Sequence, residues 1–351
     1  MRWRSWSHDG SAWAPQKPVN PSPWLAPLGA AYGAAGRLRV GLYRRGFLAR
    51  HRLRGPVISV GNLSVGGSGK TPVVALVAAL LVEGGRPVAV LSRGYGGTFS
   101  GDALVVSDGS TLLASAREAG DEPVMLARQL PGAVVAVGRR RDVVGRVVEE
   151  RFGPRVHLLD DGFQHLRLQR DLDLLCASAA DFADRPLPAG RLREWPSAAA
   201  RADAVLLTGD AASAPPGWPA ERVFTVRRRV VGFFDRAGAA CPPPECPWLL
   251  SGIARPERLE QDVEAQGAGR LGVLGASTFP DHHWFSAGDL DGVARAAHLA
   301  GADSIVTTAK DLERLPPAWE PEPLRVLRIA AEVDDRERLR RLVLGVAGSG
   351  A

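Results

Sequence analysis

The chain has 351 residues, 45% hydrophobic and 23% charged, which suits a protein that buries one or two domain cores and excludes a disordered, collagen-like or peptide-sized module. No run of about 20 apolar residues is free of charge and proline, so no spanning helix is expected, and the opening MRWRSWSHDG lacks the apolar stretch of a secretory leader. Three cysteines (Cys176, Cys241 and Cys246) are too few for a disulfide framework, so a cytosolic, reducing compartment is the expectation.

The net charge of +6 is unevenly spread. From Met1 to Val82 eleven Lys and Arg face a single acid, Asp9, a balance of +10 that leaves −4 for the rest. An anionic surface is therefore expected as a partner of the N-terminal end. Residues 1–20 carry Trp3, Trp6 and Trp13 among prolines and polar residues without a period, and read as an extension. Trp24, Leu25, Leu28 and Tyr32 then precede seven arginines between Arg37 and Arg54. That order fits an interfacial segment, aromatic residues at headgroup level and arginines on anionic lipid. A helix packed on the body with a solvated basic face, or a nucleic-acid patch, would read similarly.

From Gly55 the pattern becomes strand, loop and helix in repetition, the mark of a mostly parallel sheet covered on both faces. Buried strands are predicted at Pro56–Asn62, Arg86–Gly94, Ala133–Gly138, Arg155–Asp161, Asp171–Ser178 and Ala204–Asp210, all short apolar runs without alternation. The helix between the first two, Thr71–Val82, is nearly all Ala, Leu and Val and must be buried. After the break AASAPPGWPAERV, Phe224–Asp235 predicts a strand or hairpin leading into ACPPPECP, and smaller-scale alternation follows, with a helix at Ser286–Ala300. The expected organisation is an N-terminal segment 1–54, a P-loop domain 55–222, a linker or hairpin 223–246 and a smaller α/β domain 247–351.

The segment SVGGSGKT (Ser64, Val65, Gly66, Gly67, Ser68, Gly69, Lys70 and Thr71) lies between a predicted strand and helix, the setting of a phosphate-binding loop. Glycines turn backbone N–H groups toward phosphate oxygens, Lys70 adds a point charge, and Thr71 offers a hydroxyl to Mg²⁺. With three lysines beside 41 arginines in the chain, a chance Gly-Lys-Ser/Thr is expected only about 0.03 times. Ser64 stands where the general pattern has glycine. A second part is RVHLLDDGFQH, whose paired carboxylates Asp160 and Asp161 end a strand, where a P-loop fold places an acid near its Mg²⁺; a plain Asp-Gly turn is the alternative.

Together VGNLSVGGSGKTP, LSRGYGG, GDEPVMLAR, DDGFQHLRLQRDLDL, PAGRLRE, FPDHHWFS and TTAKD closely resemble the tetraacyldisaccharide 4′-kinases, over roughly Gly55 to Asp311. This family usually has Thr or Ser at the Ser64 position. The resemblance implies ATP and Mg²⁺, and transfer of the γ-phosphoryl group to the 4′-hydroxyl of a tetraacylated glucosamine disaccharide 1-phosphate, giving lipid IVA. It suggests Asp121 of GDEP as the base, held by His282 of FPDHH, with Arg193 neutralising phosphate charge and Glu194 helping to hold Mg²⁺. Asp121 and His282 are far apart in sequence, so two domains closing on each other would complete the cleft. Tyr95, Gln164 and His165 are candidate cleft lining, and Arg141 of an Arg139–Arg141 run is a candidate for the substrate's 1-phosphate, although such a run also suits a solvated face. A zinc reading of Asp281, His282 and His283 lacks further ligands at suitable spacing, and Lys310 of TTAKD has no derivable role. A four-chain lipid stays in the membrane, so Trp24–Arg54 becomes a docking element at the cytoplasmic face of the inner membrane. No nucleic acid and no obligate protein partner are expected. A P-loop kinase or GTPase acting on a soluble metabolite or metallocentre, or a non-catalytic nucleotide-gated binder, are the other classes.

Overall fold

The structure, a computed structural model, describes residues 23–66, 69–209, 217–267, 272–319, 321 and 323–348. The tryptophan-bearing start expected as an extension lies outside them. In chain order, α1 (Ala26–Arg44) precedes β1 (Val57–Asn62), α2 (Lys70–Glu83) and β2 (Val88–Ser92). Then come β3 (Leu104–Ser107), α3 (Ala116–Ala119), α4 (Asp121–Gln129), β4 (Ala133–Val137), α5 (Arg141–Phe152) and β5 (Val156–Asp160). β6 (Leu172–Ala177), α6 (Ala179–Ala183) and β7 (Ala204–Thr208) lead to the long β8 (Val223–Phe234) and its hairpin partner β9 (Ala240–Cys241). The remainder is β10 (Pro247–Ser251), α7 (Glu257–Ala265), β11 (Gly275–Thr278), α8 (Ala287–Leu299), β12 (Ser304–Thr308), α9 (Ala309–Leu312), β13 (Leu324–Val333) and α10 (Arg336–Gly348).

Each of the six predicted strands is present, with ends within two residues of those expected. They are buried along their whole length apart from the last residue of β7, as strands covered on both faces must be. β3 adds to these six as an edge strand, antiparallel to β4. α2 buries Val73, Val74, Val77, Ala78, Leu80 and Leu81. A helix apolar on every side needs cover on every side, and here β1, β5, β13 and α10 supply it. Each fully buried Leu or Val there contributes on the order of 1.5–3 kcal/mol.

Among the described residues one sheet runs β11-β10-β12-β13-β8-β7-β6-β1-β5-β2-β4-β3. β8 lies parallel to β7 but antiparallel to β13, while β10 to β13 are parallel to one another. The two halves of the sheet therefore run in opposite directions. The end of β7, Thr208, pairs with Val226 of β8, whereas the end of β12, Thr308, pairs with Leu327 of β13, itself opposite Phe233 of β8. At roughly 3.3 Å per residue, these levels are about 20 Å apart along the ribbon of β8 and β13. The carboxyl ends of the two half-sheets thus face each other across a cleft. In an open α/β sheet that edge is where ligands bind, and here two such edges share one space.

α1 is packed on the body, one of the readings that the sequence left open. It packs through its glycines: a Cβ on Gly29 would lie 2.8 Å from the Ala189 Cβ and the Pro186 carbonyl, and one on Gly33 would lie 2.1 Å from Trp195 Nε1. Arg37 adds a hydrogen bond to Ser197 and sits over the Trp195 ring. Away from this stripe Leu28 and Tyr32 of α1, and Trp24 in the 3₁₀ turn just before it, are 59, 45 and 88% exposed. α1 is thus fixed to the segment that carries Arg193 while presenting an apolar ridge outward. No helix among the described residues is long and apolar enough to cross a membrane.

Candidate active site

β1 lies between β5 and β6, so the loop leaving its carboxyl end is flanked by the turn after β5 and the turn after β6. The loop start is pinned by a short antiparallel ladder: Val65 N–H donates to the Arg191 carbonyl at 2.8 Å and Arg193 N–H to the Leu63 carbonyl at 2.6 Å. Ser64 is buried in this ladder and Val65 exposed, and Gly66 and Gly69 take φ of 101° and 73°. Gly67 and Ser68 lie outside the described residues. Lys70 donates to Asn62 Oδ1 at 2.9 Å and lies 3.3 Å from Asp161 Oδ1. Arg193 meets the other Asp161 oxygen at 2.7 Å, and Gln164 ties Arg193 to the Asn62 carbonyl.

The paired carboxylates differ in state. Burial opposes ionisation of Asp161, but Lys70 and Arg193 outweigh it and hold its pKa below the ordinary value. Asp160 is pushed up to about 6, first by burial and then by the charges of Glu122 and Asp161, although Ser92 donates to it at 3.1 Å. Arg141 is 6% exposed and carries its charge toward both aspartates; burial, opposed by that pair, lowers its pKa. His165 is lowered to about 4 by burial and then by Arg141, so it is neutral at pH 7. Glu194 is held by Arg201 through two bonds of 2.8 and 2.9 Å rather than facing the paired aspartates.

The opposite wall meets this cluster at the start of α4. Gly120, with φ of 94°, lets the chain turn there; a Cβ would lie 2.5 Å from the Tyr95 carbonyl. The next two residues send their carboxylates different ways. Asp121, 3% exposed, faces His282, whose Nδ1 lies 3.0 and 3.2 Å from its two oxygens, and Arg314, whose Nε lies 3.2 Å away. Glu122 lies 3.0 Å from Lys310 and accepts from the Thr71 hydroxyl at 3.5 Å, linking the phosphate loop to the second half-sheet. Burial raises the Asp121 pKa, but His282, Lys310 and Arg314 together take it below its ordinary value, so the carboxylate is ionised. Tyr95, 71% exposed, meets the His282 ring edge-on at 5.3 Å. His283 instead bonds Asp289 at 3.0 Å and stacks on Phe279.

The structure thus gathers Lys70, Thr71, Asp160, Asp161, Gln164, Arg193 and Arg141 on one wall and joins Asp121 to His282 across the cleft, the latter contact already formed. Glu194 stands one ion pair removed. Sequence reasoning missed Asn62, Glu122 and Arg314. Glu122 and Asn62 sit inside the GDEP and VGN motifs, next to a carboxylate and at a strand end; Arg314 has no signal among 41 arginines.

A phosphate loop with its Lys and Thr, carboxylates at the end of the neighbouring strand, and a carboxylate–histidine pair opposite define a P-loop phosphotransferase of the kinase class. The family is narrower. The family description "Tetraacyldisaccharide-1-P 4'-kinase", LpxK, matches residues 21–347, and the chain belongs to that family. It is 43% identical over 324 residues to a tetraacyldisaccharide 4′-kinase of Anaeromyxobacter dehalogenans, covering 87% of this chain and 85% of that protein. A second, from Geobacter metallireducens, is 41% identical over 310 residues, covering 84% and 88% respectively. The crystal structure of LpxK from Aquifex aeolicus in complex with ATP superposes with a TM-score of 0.77 at 32% identity, covering 92% of this chain and 98% of that one.

Proposed function

We propose that this lipid kinase transfers the γ-phosphoryl group of ATP to the 4′-hydroxyl of tetraacyldisaccharide 1-phosphate, forming lipid IVA in lipid A biosynthesis. The observation that carries the catalytic reading is the Asp121–His282 contact, which sets an ionised carboxylate opposite a phosphate loop. Family membership supports the acceptor, and the ATP complex of the Aquifex aeolicus relative supports the donor.

In this reading the loop between the Ser64 ladder and Thr71 cradles the phosphates with backbone N–H groups, and Lys70 and Arg193, now paired with Asp161, turn to phosphate oxygens. Arg141 adds charge behind them or meets the substrate's 1-phosphate. Asp121 receives the hydroxyl proton as the new P–O bond forms, and His282 orients it. Gln164 and His165 shape the wall beside Arg193, and Tyr95 offers its exposed ring to the sugar beside His282.

The donor set fits Mg²⁺. Among the described residues no three His, Cys, Asp or Glu gather to hold a metal unaided, but a phosphate-bound Mg²⁺ needs only one or two carboxylates. Asp160 is buried and crowded by the like charges of Glu122 and Asp161, and Asp161 beside it is an ionised carboxylate, so the pair gains from a nearby dication. Thr71, Asp160 and Asp161 would hold it, with Glu194 joining if it exchanges its Arg201 pair. When bound, Mg²⁺ supplies charge neutralisation on the β and γ phosphates.

The apolar ridge of α1 and the basic N-terminal segment support peripheral docking on anionic lipid at the cytoplasmic face of the inner membrane. Residues 55–222 and 247–351 then act as two units joined through 223–246 and bearing the two walls of the cleft. Transfer of labelled γ-phosphate from Mg-ATP to tetraacyldisaccharide 1-phosphate in mixed micelles tests the central reading. Wild type should transfer, and Asp121→Ala should lose about 10²–10⁴-fold. Undiminished turnover in that variant refutes the role of Asp121, and no transfer by a folded, ATP-binding wild type refutes the acceptor.

A further inference from the structure

Lys310 is the second residue of α9, the short helix that follows β12, and its side chain is 17% exposed. Its Nζ lies 3.0 Å from the Glu122 carboxylate, 3.2 Å from Asp281 Oδ1 and 3.1 Å from His282 Nε2. Burial opposes its charge, but Glu122, Asp121 and Asp281 outweigh it and raise the pKa, so the group is an ammonium. An ammonium has three donors and no lone pair. Its three neighbours must all accept, and Nε2 of His282 does so only with its lone pair free of a proton.

The ring proton of His282 is then left to Nδ1, which faces both oxygens of Asp121 at 3.0 and 3.2 Å. We propose that Lys310 is a positioning residue that locks His282 in the neutral Nδ1–H tautomer and aims its one ring proton at Asp121. This rests on the phosphotransferase reading of Asp121 and deepens it. With both ring nitrogens used, His282 has no site for a second proton, and Asp121 is left as the sole acceptor for the hydroxyl proton.

The other groups around the ring give Lys310 its importance. Asp281 Oδ2 lies 3.8 Å from Nε2, Glu122 reaches the ring only through Lys310, Tyr95 contributes a ring edge, and Arg314 touches Asp121 beside it. Without Lys310 the imidazole stands among Asp121, Asp281 and Glu122 with its Nε2 lone pair uncovered. The ring proton can then sit on Nε2, toward Asp281, and Asp121 loses the hydrogen bond that orients it. His282 itself holds a left-handed φ of 60°, so the ring is presented by a backbone that few side chains adopt.

Two-bond ¹H–¹⁵N correlation spectra of the ¹⁵N-histidine-labelled full chain, with His282→Asn for assignment, read the protonated nitrogen directly. Wild type should show a proton on Nδ1 and a bare Nε2 at His282, and Lys310→Met should show Nε2–H. In the micelle assay Lys310→Met should lose roughly 10²-fold in kcat, with KM for ATP within about twofold of wild type. Lys310→Arg should recover the wild-type spectrum and kcat. A wild-type Nε2–H signal overturns the assignment whatever the activity, and so does a Lys310→Met variant with an unaltered tautomer. Failure of the Asp121→Ala comparison would remove the catalytic reading and leave the spectra unchanged, so the two failures are distinguishable.

Discussion

Arg314 is the side chain on which the second wall of the cleft turns, and Arg314→Met tests that. Its guanidinium donates to the Gly252 carbonyl at 2.9 Å and the His283 carbonyl at 3.1 Å, pairs with Asp311, and lies 3.2 Å from Asp121, all with 1% of the side chain exposed. Four segments (the end of β10, the histidine loop, α9 and α4) therefore share one cation. Methionine keeps most of the aliphatic volume and leaves two buried carboxylates and two carbonyls without it. Breaking a buried ion pair from one side costs about 3–5 kcal/mol, a large part of the 5–15 kcal/mol of a typical domain. The sign of the pH dependence comes from Asp311. Burial raises its pKa above the unfolded value and Arg314 opposes that rise, so losing Arg314 raises it further. A carboxyl whose folded pKa is raised keeps a proton that the unfolded chain releases, and stability falls as pH climbs from the unfolded to the folded pKa. The penalty of Arg314→Met should thus be full near pH 8 and smaller near pH 5. Urea midpoints at the two pH values measure it, and adding Asp311→Asn should return part of the loss. A penalty under about 1 kcal/mol near pH 8, or one that grows as pH falls, would refute the reasoning.

Lys70→Ala should lower phosphoryl transfer by at least about 10³-fold in the micelle assay while leaving the far-ultraviolet spectrum unchanged; near-wild-type turnover would remove the phosphate-loop assignment. Trp24→Glu with Leu28→Glu should cut binding to vesicles containing anionic phospholipid by at least about tenfold, since each exposed apolar side chain is worth roughly 1.5–3 kcal/mol on burial. Unchanged co-sedimentation would show that the ridge of α1 is not the docking surface.

The strands were legible because parallel strands covered on both faces leave short runs of Val, Ala and Leu between glycine-bearing turns, as β2 and β4 do. The phosphate loop was legible because lysine is so rare in this chain that Lys70 marks itself. What stayed hidden depends on tertiary register. Nothing local in Arg227–Val230 or in Ile329–Val333 announces that β8 and β13 run antiparallel, yet that single reversal makes two carboxyl edges face each other. The glycine stripe of α1 was equally silent, since Gly29 and Gly33 acquire meaning only once Trp195 and Ala189 lie against them. Arg314 and the Lys310–His282 contact are long-range pairs, and an unaligned sequence gives no spacing from which to derive them.

The backbone itself points to the same two places. Among the described non-glycine residues the left-handed region holds two, Asp161 at φ 56° and His282 at φ 60°. One comes directly after β5 on the first wall, the other lies in the turn after β11 on the second. Such a conformation costs a non-glycine residue on the order of 1–3 kcal/mol, and glycine would avoid the cost at either position. Glycine cannot replace what the side chains do there: Asp161 receives Lys70 and Arg193 on its two oxygens, and His282 spans from Lys310 to Asp121. Strain is therefore stored where a charged or proton-bearing group must project from the last turn of a strand edge into the cleft. Because the edges are opposed, those two strained turns hold Lys70 and Arg193 to one carboxylate on the first wall and, from the second, reach Asp121 across the cleft through His282.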